Sequence, residues 1–256
     1  MNMKKGFIIL LAIGLIFAVV GCNDSGDVSS ALDKDTLIVG TSADFPPFEN
    51  VDENGDIVGF DIDLIQEIGK ELGKEIKIEN MDFNGIVGAV QTDKVDIAIS
   101  GITADEERGK KVNFSDPYYE SSQAILVRED DEGSNSMDDL SGKLVGSQLG
   151  STSDDVIMEY EDIENKKYNK ANDAVLDLTN GRLDAVIIEH SIAQAFVDNN
   201  EGIKVIVPEG LNTEKELLAI ALPKDDEELL NKVNEALASI KDSGKYDELF
   251  NKWFQD

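Results

Sequence analysis

AVQTDKVDIAIS, residues 89–100, holds a complete unit of architecture. Ala89 and Val90 close a helix-like pattern, Thr92-Asp93-Lys94 turn the chain, and Val95 to Ile99 reads as a buried strand. DLTNGRLDAVII, residues 177–188, aligns with it without gaps. Each copy has a helix end, a polar turn, a basic residue (Lys94 or Arg182), an aspartate (Asp96 or Asp184) and an apolar strand. The echo fits two lobes built alike. It also fits convergence on a common helix–turn–strand unit, and both readings stay open at this level.

Outward from this unit, strand-like and helix-like pieces alternate. TLIVGT (36–41) reads as a buried strand. DIDLIQEIGKELG reads as a helix: Asp61 suits the N-cap, Leu64, Ile65, Ile68 and Leu72 share a face, and Gly73 suits the stop. The second half repeats the rhythm with KLVGS, a helix from about 151, LDAVII and a helix through IAQAFVDN. Such alternation predicts α/β layers with mostly parallel sheets. A Gly/Asp/Ser-rich segment, 128–143, follows the apolar AILV (124–127), and a second apolar strand, LLAIALP (217–223), follows the second half. The chain is therefore expected to build lobe one over 36–125 and lobe two over 126–217. It then returns to lobe one over 218–256, leaving two crossings and a cleft where ligands of α/β sheets sit.

The N-terminus reads as a separate device. Lys4 and Lys5 precede an apolar run that is short for a membrane span and suits a signal peptide over 1–21. The run ends in VVGC, and Cys22 is the sole cysteine, which excludes an intrachain disulfide. VVGC resembles the lipobox of bacterial lipoproteins, which implies lipidation at Cys22, secretion through the Sec pathway and anchoring at the outer face of the cell membrane. The polar stretch 22–35 is expected to be a flexible tether. With a formal net charge of −30, the surface repels nucleic acid and anionic lipid, so the membrane link falls to the lipid.

Beyond Ser100 the sequence runs GITADEERGK. Gly101 allows a close backbone approach, and Thr103 with Glu106 has capping-box spacing, so a short helix is expected to start there. Its N-terminus favours an anion, and Arg108, one turn in, has the two-pronged geometry for a carboxylate. Taken alone, the stretch fits an ordinary capped surface helix with an exposed arginine better than it fits a site.

The wider series changes that balance. TSADFPPFE, GFDIDL, MDFNGIVGAVQT, DIAISGITADEERGKKVNFSDPYY, LSGKLVGSQLGSTS, GRLDAVIIE and YDELFNKWF together resemble family 3 of the bacterial extracellular solute-binding proteins, from about Thr36 to the end. The resemblance implies a two-lobed periplasmic-binding-protein fold of type II, with two crossover strands and the ligand in the interlobe cleft. It implies a monomeric receptor, without cofactor or metal, that binds a polar L-amino acid and delivers it to an ABC permease and its ATPase. Arg108 would hold the α-carboxylate, with Ser100, Gly101 and Thr103 hydrogen-bonding beside it and Thr152 donating from a helix start behind Ser151. Glu189 would take the α-ammonium where the family usually has aspartate. Phe45 and Phe83 would sandwich the ligand's aliphatic part. A zwitterion needs one positive and one negative partner, and one from each lobe would drive closure on binding.

Ser42 and Gln148 bear on specificity. Family members that take cationic ligands often carry aspartate at the position of Ser42, so serine favours a neutral polar ligand, although Asp44 stands nearby. Gln148 suits a polar uncharged partner. Glutamine is the first expectation and arginine the second. A dehydratase on the same fold and a sensing module are the alternatives. The single histidine, His190, has no second histidine or cysteine for a metal site, and it reads as a residue at a helix start.

Overall fold

The two echoing segments fold alike. The computed structural model describes residues 30–208, 211 and 215–255. The helices Phe83–Gln91 and Ala171–Thr179 each end in a tight turn, with the aligned residues Asp93 (φ 55°) and Gly181 (φ 70°) both left-handed. The chain then enters Ile97–Ala98 in one case and Ala185–Glu189 in the other. The aligned aspartates do the same work. Asp96 Oδ2 accepts the N–H of Ile38 at 2.8 Å, and Asp184 Oδ2 accepts that of Leu144 at 2.9 Å. Each carboxylate thus pins the neighbouring parallel strand and fixes its register.

Two five-stranded sheets follow this plan. The first runs Glu75–Asn80, Thr36–Thr41, Ile97–Ala98, Ala221–Leu222, Asn113–Phe114. The second runs Glu164–Tyr168, Leu144–Gln148, Ala185–Glu189, Gln123–Arg128, Ile203–Ile206. In both, the first three strands are parallel and the fourth is antiparallel to its neighbours. Between the sheets, Tyr119–Ser121 and Glu216–Leu218 pair antiparallel and carry the two crossings. The expected boundary at 125 falls inside Gln123–Arg128, which pairs wholly within the second sheet, so the first crossing comes a few residues earlier. The C-terminal helices, Glu227–Asp242 and Lys245–Phe254, return to lobe one. There Phe254 packs its ring 5.2 Å from Phe48 and 5.3 Å from Phe60.

Two local expectations are corrected. The first-lobe helix spans Phe60–Leu72 with Gly59 at its N-cap, so Asp61 lies inside the helix. Gly59 has φ 146°, and a Cβ there would lie 2.0 Å from the carbonyl oxygen of Phe48, so the start of this helix is closed to any other residue. Phe60, Leu64, Ile65 and Ile68 bury completely, each stabilising by roughly 1.5–3 kcal/mol. Residues 30–35 of the expected 22–35 tether belong to the fold. Ala31–Asp33 forms a helical turn docked on lobe one: Ala31 is buried, and its N–H and the Ser30 hydroxyl both donate to Asp226, at 2.8 and 2.9 Å. Asp226 in turn caps the helix Glu227–Asp242. The expected signal peptide and Cys22 lie outside the described residues. No helix among the described residues is long and apolar enough to cross a membrane.

Candidate functional site

The strand Ile97–Ala98 aims its continuation, Ser100 to Thr103, into the space between the sheets. Arg108 follows on a short helix, Glu106–Gly109. The cap of that helix is Asp105, whose carboxylate accepts the Arg108 N–H at 2.8 Å. The expected Thr103–Glu106 capping box is therefore not formed. Asp105 is also within 3.2 Å of Arg108 Nε. Arg108 is not the exposed surface arginine the local pattern favours, because its side chain is only 12% exposed. Nη1 donates to the Thr103 carbonyl at 2.9 Å, and Nη2 reaches across the cleft to the Gly150 carbonyl at 3.0 Å. The guanidinium stands 5.6 Å from the Phe83 ring centre. Of its five N–H groups, two remain for an anion.

Ser100 and Gly101 are placed differently from the expectation that they donate to a ligand. The Ser100 hydroxyl donates to Glu49 at 2.7 Å and accepts from the Ser42 N–H at 3.0 Å. The Gly101 N–H donates to Asp61 at 2.9 Å, and Tyr118 O–H donates to the same oxygen at 2.7 Å. Burial, and then the neighbouring Asp61 charge, push the Glu49 carboxyl well above its usual range, while burial pushes Asp61 up to about 6. These donors are committed to lobe one's own acids and hold the strand end in place. Phe45 lies over them, buried, its ring 3.2 Å from where a Cβ on Gly101 would sit.

Lobe two faces them with Gln148, at the end of Leu144–Gln148, and with Ser151, which caps the helix Thr152–Met158. The Gln148 amide donates to Asp44 at 3.3 and 3.4 Å, and the Ala171 N–H donates to the same carboxylate at 2.7 Å. Ser42 donates to Asp44 from within lobe one at 3.0 Å. Asp44, in the stretch that precedes Phe45, is thus a buried acid shared by both lobes. Burial raises its pKa, partly offset by Ser42, Ala171 and Lys170. Glu189 ends its strand buried, with Oε2 lacking a hydrogen-bond partner. Burial, and then the charge of Glu216, push its carboxyl up to about 8.

The cleft is closed. Phe45, Gln148, Ser151 and Glu189 line a cavity of about 10 Å³, room for one water at most. The lobe-two turn at Gly150 presses on lobe one so closely that a Cβ there would lie 3.2 Å from Asn84. Arg108, Gly150 and Thr152 line a wider pocket of about 390 Å³ that opens to solvent. Hydrogen bonds span the cleft from Arg108 to Gly150, from Gln148 and Ala171 to Asp44 and from Asn169 to Asp82, and Phe45 of lobe one shares the cavity lining with Ala174 and Val186 of lobe two. Glu216 and Gln123 also face this region, and sequence reasoning did not select them. Neither belongs to a motif, since their roles arise only when the crossing strands bring 123 and 216 together.

A two-lobed α/β protein with a small, acid-rich cleft and one largely shielded guanidinium beside it has the form of a ligand-capture protein. The sequence belongs to the bacterial extracellular solute-binding proteins, family 3, matched over residues 37–256. It is 38% identical over 255 residues to the arginine-binding extracellular protein ArtP of Bacillus subtilis (strain 168), covering 98% of each chain. It is also similar to an ancestral arginine-binding protein solved bound to arginine, with a TM-score of 0.83, 44% identity and coverage of 86% of this chain and 99% of that one. It is similar as well to an ancestral arginine-binding protein solved bound to glutamine, again at a TM-score of 0.83 and 44% identity, covering 87% of this chain and 99% of that one.

Proposed function

We propose that this chain captures a cationic L-amino acid, arginine first, and delivers it to an ABC permease by opening and closing about its two crossings. The carrying observation is Asp44, a buried carboxylate at the Gln148 end of the cleft. Arg108 takes the ligand's α-carboxylate and Glu189 its α-ammonium. A neutral side chain such as that of glutamine brings Asp44 no charge beyond that of Lys170, whereas a guanidinium brings a charged donor to it. This reading reverses the initial preference for glutamine, which rested on Ser42 and Gln148. Both of those residues hydrogen-bond to Asp44, and both serve as its positioning partners. The names of the relatives point the same way.

The protein works outside the cell, held to the membrane by a lipid on Cys22. That reading rests on the VVGC motif that ends in Cys22. Metabolic labelling with a palmitate analogue tests it: label is expected on the wild type and absent from Cys22→Ser, and label on Cys22→Ser disproves it. A thermal-shift screen of the twenty amino acids tests the ligand, because binding to the native state raises apparent stability. Arginine is expected to give the largest rise. A larger rise with glutamine defeats the cationic reading.

A further inference from the structure

We propose that Glu216, on the return crossing between the lobes, is a second carboxylate for the ligand's α-ammonium, acting with Glu189. The proposal rests on the reading of the cleft as an amino-acid site.

Glu216 opens the strand Glu216–Leu218, which belongs to neither large sheet. Its carboxylate is held by donors from both lobes. Oε2 accepts from the Thr103 hydroxyl of lobe one at 3.2 Å and from the Thr152 hydroxyl of lobe two at 3.1 Å. Oε1 accepts from the Gln123 amide at 2.9 Å. Gln123 is itself fixed: it pairs with Glu189 in the second sheet and accepts the Ser153 hydroxyl at 2.7 Å. The side chain is therefore pre-oriented at the place where Thr103, Thr152 and Glu189 meet.

All three of these donors are neutral. If the side chain were only a strap, glutamine would serve as well and would not repel Glu189. Instead the charge of Glu216 is the second cause, after burial, that raises Glu189. The two acids meet at a buried oxygen without a hydrogen-bond partner, Glu189 Oε2, and the charge of Arg108 offsets their repulsion only in part. A carboxylate offers about four lone-pair positions, so three hydrogen bonds on Glu216 leave one, and an α-ammonium brings three donors to share between the two acids. The hydroxyls of Thr103 and Thr152 are spent on Glu216, which leaves Arg108 as the principal partner of the ligand's carboxylate. Because Glu216 sits on a crossing, its pairing with the ammonium links cleft occupancy to the segment that must move on closure.

Titration calorimetry on wild type and Glu216→Gln decides the matter, using L-arginine and des-amino arginine, which keeps the carboxylate and guanidinium but lacks the ammonium. Glu216→Gln is expected to weaken arginine binding roughly tenfold to a hundredfold, the range for loss of a charged hydrogen bond. Des-amino arginine is expected to bind both proteins within about threefold. The melting temperature of the free variant is expected to stay level or rise, because a repulsion is removed. Equal or tighter arginine binding by the variant would show a strap or a competitor for the cleft and overturns the inference. So does an equal loss for both ligands, which would place the effect on the shape of the cleft. If the wild type binds no amino acid, the reading of the cleft itself fails, an outcome separate from these.

Discussion

Replacing Arg108 by alanine removes the one guanidinium in the cleft. Its side chain is 12% exposed, so the pair proposed for it with the ligand's carboxylate would be shielded from water on closure. Breaking such a buried pair costs about 3–5 kcal/mol. At about 1.4 kcal/mol per decade, the dissociation constant should rise by roughly two to three and a half orders of magnitude. A second contribution acts through the free protein. The 3.0 Å bond from Arg108 to the Gly150 carbonyl exists only when the lobes are together. Its loss should shift unliganded molecules toward the open form, visible as a larger radius of gyration in small-angle scattering. Arg108→Lys should bind poorly as well, because a compact ammonium cannot reproduce the planar two-pronged fork that meets a carboxylate. Calorimetric titration with arginine and with its carboxamide separates the two effects. The carboxamide should bind wild type weakly, yet lose little further on Arg108→Ala, since the group that the arginine meets is already gone. Binding of arginine by Arg108→Ala within about threefold of wild type would refute this reasoning.

Glu189 makes a prediction in pH. Its carboxyl is raised from 4.5 to about 8 in the folded chain, so between these values the native state keeps a proton that the unfolded chain has released. The stability of the free protein should therefore fall as pH rises through this window, and Glu189→Gln should flatten the fall. An ammonium requires the ionised acid, so ligand binding below about pH 8 should expel a proton and affinity should increase toward that pH; calorimetry in buffers of different ionisation heat that shows no proton release would remove Glu189 from the site. Gly59→Ala should destabilise by about 2–5 kcal/mol, from left-handed strain plus the clash at the Phe48 carbonyl. A change below about 0.5 kcal/mol in chemical denaturation would mean that the helix start relaxes freely.

The lobes, the crossings and the order of elements were legible because they rest on repeating local patterns. The echo of 89–100 in 177–188 is a structural repeat, down to the left-handed residue at 93 and 181 and the register-pinning aspartates at 96 and 184. Misreadings arose where a polar residue had two local uses. Asp61 suits an N-cap by position, but tertiary structure brings Gly101 and Tyr118 to its carboxylate, and Gly59 takes the cap. Thr103 and Glu106 have capping-box spacing, but Thr103 is drawn away to Glu216 and Asp105 caps instead. Ser30 to Lys34 reads as tether from composition alone, and it docks because Asp226, remote in sequence, offers a carboxylate. Asp44, Gln123 and Glu216 belong to the same class, since their partners lie on other elements and no spacing rule reaches them.

The central claim is that Asp44 selects a cationic ligand, and Asp44→Asn tests it most directly, because asparagine keeps an oxygen for the Ala171 N–H while the charge is removed together with one acceptor, that of Ser42. The decisive measurement is the ratio of the arginine to the glutamine dissociation constant, taken by calorimetry on wild type and variant under one buffer. The structure-based expectation is that arginine binding weakens by roughly two orders of magnitude or more, as for a broken buried ion pair. Glutamine binding should move less than about fivefold, because its amide makes no ion pair with residue 44. An unchanged ratio, with both ligands weakened alike or neither, would contradict the claim.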